Sequence, residues 1–220
     1  MKHSQAQLLD MAVPPGWHRI DTRGDRKSEL DAAVARVTEG IDRDSAPALR
    51  EKIRRKLAAL LDEMDVEADN SVLSLLFPVA RTAGIVLPVT VALATIPAPD
   101  ASRPPIEVLV GASLSNPTAQ PVPVADTVAL RTHSIRTLGP QATEQVADLA
   151  DGDAGGVSIE AFSLRTQYVF GWNEPTPEWY AVQCSAVLPS PELTSPLVQE
   201  FNGLFDVMVA GISRPEGGGA

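Results

Sequence analysis

Among the side chains of this 220-residue sequence whose types could carry chemistry, the histidines come first: His3, His18 and His133. An imidazole acts as a general base only with a proton donor and an orienting group in hydrogen-bond reach, and these three lie far apart in the chain. His18 follows a tryptophan in one expected strand and His133 alternates with Arg131 in another, so each reads as a structural hydrogen-bonder. The single cysteine, Cys184, sits in YAVQCSAVL. Its neighbours describe a buried strand, and one cysteine alone excludes an internal disulfide and a cysteine zinc site. The run DGDAGG at 151–156 offers carboxylates to a cation, but it lacks the ligand ladder and terminal glutamate of a calcium loop and reads as a turn. No glycine-rich phosphate loop, nucleophile elbow or paired-histidine zinc motif occurs. No catalytic residue, metal or cofactor is therefore assigned.

Arg165 is the next candidate. Between residues 137 and 213 there are ten acidic side chains and one basic one, Arg165, which lies within an apolar strand. Alternation puts it on one face with Ser163 and Gln167, opposite Phe162 and Leu164. It reads either as half of an ion pair or as the anchor of a ligand carboxylate, with His133 and His18 as converging partners in a pocket between sheet and helices.

The window YVFGWNEPTPEWY, residues 168–180, holds five of the ten aromatic residues. Tyr168, Phe170 and Trp172 alternate on one strand and Tyr180 leads the apolar face of the next, which accounts for them as cross-strand packing. Trp179 falls on the opposite face. Trp172, Asn173, Glu174, Glu178 and Trp179 are the candidate partner-binding residues.

The elements that must position these side chains follow from periodicity. VPPGWHRID predicts a turn and a short strand. SELDAAVARVTEGI, with Ser28 and Asp31 at capping-box spacing, predicts a helix. A second helix starts at Ser45, its apolar stripe opposed by a solvated face of Arg50, Lys52, Arg54, Arg55 and Lys56. SVLSLLFPV and IVLPVTVALATIP predict a hairpin. IEVLVGASL favours a short helix, with a strand also compatible with IEVLV, and NPTAQPVPVAD predicts a proline-rich loop running into the strand TVALRTHSI. The stretch LGPQATEQVADLADGDAGG predicts a loop. VSIEAFSLRTQYVFGW and WYAVQCSAVL predict two long strands joined by NEPTPE, and the apolar stripe from Leu197 to Ile212 predicts a final helix wide enough to cover a sheet. The sum is one α+β domain over residues 13–213, a mostly antiparallel twisted sheet with helices on both faces. A flexible terminus (1–12) and a flexible tail (214–220) flank it.

Composition narrows the function classes. With 44% hydrophobic and 21% charged residues the chain belongs with ordinary globular proteins. The start has no apolar signal-peptide core, and no run approaches the ~18 apolar residues of a membrane span. No membrane role is expected, and the cytoplasm is the expected location. A net charge of −10 disfavours a nucleic-acid partner, since phosphate binding is charge neutralisation. The acidic C-terminal half suits a basic protein partner instead.

PPGWHRI, the paired-helix segment, SVLSLLFPVARTAGIVLPVTVALA and the closing EWYAVQCSAVLPSPELTSPLVQEFNGLFDVMVAGI together resemble the α/β/α sandwich of PsbP and the MOG-type Ran-binding proteins. Most closely they resemble a group of uncharacterised actinobacterial proteins with that fold. The resemblance implies binding or scaffolding rather than catalysis and carries over no site residues. The leading expectation is a non-catalytic, cytoplasmic protein–protein interaction or accessory module. The alternatives are a small-ligand-binding protein or enzyme with a pocket between sheet and helices, and a structural oligomer subunit.

Overall fold

A computed structural model describes residues 9–39, 46–66, 72–80, 88–139, 161–173, 177–188 and 194–214. In chain order the elements are β1 (Trp17–Asp21), α1 (Arg26–Val37), α2 (Ala46–Val66), β2 (Val72–Pro78) and β3 (Val89–Ile96). Then come α3 (Pro105–Ser115), β4 (Gln120–Val124), β5 (Thr127–Thr137), β6 (Phe162–Trp172), β7 (Glu178–Leu188) and α4 (Thr194–Ala210). The strands form one seven-stranded sheet in the order β1-β2-β3-β7-β6-β5-β4, with every neighbouring pair antiparallel. None of the described helices is long and apolar enough to cross a membrane.

Strict alternation along β6 and β7 splits the sheet into two faces. Leu164, Tyr168 and Phe170 pair with Ala186, Val182 and Tyr180, so these side chains share one face. There α4 covers them with Val198, Phe205, Met208 and Val209. Leu9, Met11 and Ile212 join the same core, and a backbone bridge ties Asp10 to Ser213. The packed unit thus includes Leu9 and Met11, which fall inside the stretch expected to be a flexible terminus. On the opposite face Leu30 and Ala33 of α1 and Leu61 of α2 pack against Ile20, Leu75, Phe77 and Ala92. The basic face of α2 is exposed, and on it Arg54 reaches Asp31 at 2.5 Å and Arg50 donates to the Thr38 hydroxyl at 3.1 Å.

Two further expectations need correction. The first helix starts at Arg26, not Ser28. Asp25 is its cap, its carboxylate accepting from the Lys27 N–H at 3.1 Å, so the nearer Asp outcompetes the Ser28/Asp31 box. The proline-rich stretch expected to be a loop contains β4. It pairs with β5 through Val122↔Ala129 and Val124↔Thr127, which turns the backbone of Pro121 and Pro123 to the open edge, where no ladder N–H is required. The segment holding DGDAGG, and NEPTPE except for its two ends, lies outside the described residues.

Candidate functional site

Gly171, near the end of β6, decides where α3 sits. A Cβ at this position would meet Pro105 Cβ at 2.9 Å and the Glu178 carbonyl at 3.0 Å, so only glycine lets the first turn of α3 lie on the sheet. That approach gathers the start of α3, the β4–β5 turn and the end of β6 around a cleft of about 510 Å³. Asp126, Thr127, Asn173 and Arg214 supply its polar wall, and Trp172 its floor. The Trp172 indole N–H donates to Asp126 Oδ1 at 2.6 Å, and the Arg214 guanidinium lies 4.7 Å from the ring centroid, a cation–π contact. Thr127 donates its hydroxyl to the Gly171 carbonyl at 3.2 Å. Ala125, beside Asp126 in the turn, has φ 46°, a left-handed conformation that a non-glycine residue adopts at a strain cost.

A second concavity adjoins the first. Ile106, Val110 and Leu114 stand along one side of α3 and are 47%, 52% and 84% exposed. With Pro121, Val128 and Leu130 they bound an apolar groove of about 200 Å³, which shares Ile106 and Val128 with the polar cleft. The lining side chains of the polar cleft offer charge, hydrogen bonds and apolar surface; its one hydroxyl, on Thr127, is already committed to a backbone carbonyl.

On the α4 face, a polar network props the far side of the sheet. The Tyr168 hydroxyl donates to Asp206 Oδ1 at 2.7 Å, Arg131 reaches Asp206 Oδ2 at 2.5 Å, and Arg131 also donates to the side-chain oxygen of Gln120. Thr166 and Asn202 pair at 2.8 Å between the same layers. Burial, then the bond to Asp206, pushes the Tyr168 phenol well above its usual range. Burial, then the bond to Glu178, does the same to Tyr180. Both shifts favour the neutral phenol in the folded chain. Their stabilisation is full below the unfolded value near 10 and is lost as pH rises beyond it. These are the only tyrosines in the chain. A spectrophotometric titration should therefore show phenolate appearing cooperatively, together with unfolding. A smooth curve centred at the free-tyrosine value, with circular dichroism unchanged, would contradict this.

The candidate residues from the sequence are placed as follows. Trp172 and Trp179 are 5% and 3% exposed, so their rings belong to the interior. Trp179 lies across from Gly171, on the face where α3 packs. Asn173 is exposed at the cleft, Glu178 is half-buried and accepts from the Tyr180 hydroxyl, and Glu174 lies outside the described residues. Arg165 pairs with Ser134 and His133 with Thr166, which puts the two on opposite faces of the sheet, while His18 is on β1, at the far edge. The structure does not bring the three together. Arg165 is exposed, and among the described residues it forms no ion pair. Cys184 is fully buried, and burial raises its thiol well above the usual value.

Sequence reasoning missed Asp126 and Arg214. The first was lost in the supposed loop and the second in the supposed tail. The signal for Asp126 was the short VPVADTVAL register, readable as two strands around a two-residue turn. Among the described residues no three His, Cys, Asp or Glu side chains cluster as metal ligands would. No protein-family model, curated protein or solved structure matches this chain.

Proposed function

We propose that the chain is a non-catalytic binding module that engages a protein partner at the concave end of its sheet. The contact surface runs from the groove beside α3 to the cleft of Asp126 and Arg214. One observation carries this reading: the stripe Ile106, Val110 and Leu114 is exposed at helical spacing and opens directly onto a charged cleft. Contiguous apolar surface of this kind marks an interaction site more often than a solvated face. Pro121 and Pro123 leave the outer edge of β4 without N–H donors at those positions, which disfavours strand addition. The partner surface that fits is an amphipathic helix laid along α3, its apolar side in the groove and a charged end at Asp126 and Arg214. A cytoplasmic setting and the PsbP-like, MOG-type architecture belong to the same proposal; an antiparallel sheet with helices against both faces supports the latter.

The test is a double variant, Val110→Glu with Leu114→Glu. Both positions are exposed, so stability should stay within about 0.5 kcal/mol of the parent. The parent chain should retain a specific protein from its source cell that the double variant releases. Equal retention by a folded double variant would overturn the proposal. A second reading, a small ligand with groups of both charges held in the cleft, is favoured by the presence of Asp126 and Arg214 on one wall. It predicts binding that Leu114→Glu leaves intact and Asp126→Asn weakens.

A further inference from the structure

Among the described residues, the face of the sheet opposite α4 is not covered evenly. Its β1–β3 part lies under α1 and α2, and its Gly171 end under α3. Between them the register puts Ser134 and Arg136 of β5, Arg165 and Gln167 of β6, and Gln183 and Ser185 of β7 side by side. All of these are exposed except Ser185, which is half-buried. Antiparallel sheets often leave one polar face to water, and solvation alone would explain serine and glutamine here. It is indifferent to the sign of charge, and the sign is what stands out. Residues 137–213 carry ten acids and one base, and that base is on this strip. No acidic side chain occupies any of the positions just named. Seven described arginines sit in ion pairs with carboxylates. Arg136 and Arg165 form none among the described residues.

We propose that this strip docks an acidic, extended segment of a partner protein, with Arg136 and Arg165 each taking one carboxylate. Arg136 lies opposite Ser163, so Arg165 is its diagonal neighbour, about 7–8 Å away by sheet geometry. Alternate side chains of an extended peptide are spaced at about 6.8 Å. The strip therefore fits a segment with Asp or Glu at every second position. Each guanidinium binds a carboxylate through paired, charge-assisted hydrogen bonds, and the flanking serine and glutamine side chains serve the peptide backbone. A nucleic acid fits poorly: two arginines neutralise few of the closely spaced phosphates of a strand. Arg165 lies four residues, about 13 Å, along β6 from Val169, the partner of the groove's Leu130, so the two arginines stand beyond the α3 groove on the same face of the sheet. Its preferred partner chemistry is also opposite in sign to the basic partner that the overall charge suggests.

The experiment uses the full chain and a fluorescent, blocked peptide of alternating aspartate and serine. Controls are a lysine–serine peptide and a single-stranded oligonucleotide. Anisotropy should show binding of the acidic peptide, weakened by salt, and weakened about tenfold or more by Arg136→Glu with Arg165→Glu, the loss expected when charge-assisted pairs go. Arg136→Gln with Arg165→Gln should lie between parent and charge reversal, and its melting curve checks the fold. Arg55→Gln, on the exposed face of α2, should change nothing. The proposal falls if the parent does not bind, if the folded double variants bind equally, or if the oligonucleotide binds as tightly as the peptide. It falls equally if peptide binding emerges only after the five acids of residues 140–160 are replaced by amides, since the chain's own connector would then be the occupant.

Discussion

Trp172→Ala should destabilise the fold by about 3–5 kcal/mol, the range for removing a large aromatic from a core. The ring is 5% exposed and meets Phe170 and Tyr180 edge-on at 5.1 and 5.6 Å. Truncation opens a cavity among these rings and removes the indole donor that Asp126 accepts. It also takes away the aromatic face beneath Arg214. Asp126 itself is exposed and rehydrates, so the loss is dominated by the cavity. Trp172→Phe keeps most of the ring volume and should lose far less. Denaturant unfolding measures both, and a loss under about 1 kcal/mol for the alanine variant would show that the ring packs loosely. The result bears directly on function. Loss of a partner on truncating Trp172 would report damage to the fold, whereas Leu114→Glu changes a side chain that is 84% exposed.

Alternation made most of the sheet legible. Phe162, Leu164, Tyr168, Phe170 and Trp172 fall on one face of β6, as a period of two requires, and Tyr180, Val182, Cys184, Ala186 and Leu188 line the matching face of β7. Trp179 was assignable to the other face by the same rule. That it is covered there, at 3% exposure, is a tertiary fact that no local pattern encodes. The edge strand escaped because proline is a loop signal when read locally, while the pairing of β4 puts both prolines where their missing N–H costs nothing. For α3 the helix was readable but its facing was not. Ile106, Leu109, Val110 and Leu114 look like one apolar stripe, yet only Leu109 among them is buried. The cleft was the least legible feature, since it is assembled from a turn, a strand end and a C-terminal arginine separated by as many as 88 positions, from Asp126 to Arg214. Local periodicity cannot report such a meeting.

The other large effect is expected from Asp206→Ala on α4. Its carboxylate accepts from the Tyr168 hydroxyl and from Arg131, whose side chain is 14% exposed. Removing it strands a buried phenol and a nearly buried guanidinium at once. Breaking a buried pair from one side costs about 3–5 kcal/mol. The Asp206 side chain is itself 32% exposed, so partial rehydration brings the expected loss to about 2–4 kcal/mol. The asymmetry between an unmade bond and an absent one gives a sharper test. The triple variant Asp206→Leu, Arg131→Leu, Tyr168→Phe leaves no stranded polar group and should be less destabilised than Asp206→Ala alone, although it changes more atoms. Arg131 also reaches Gln120 at the start of β4, so the network ties α4 to the edge strand that walls the groove. Hydrogen exchange should accordingly quicken at the Val122 and Val124 amides in Asp206→Ala while those of β3 and β7 stay protected. Uniform loss of protection would mean that the network stabilises the whole fold and has no special hold on the edge. Quickening confined to β4 would make Asp206 the residue through which α4 fixes the shape of the binding surface.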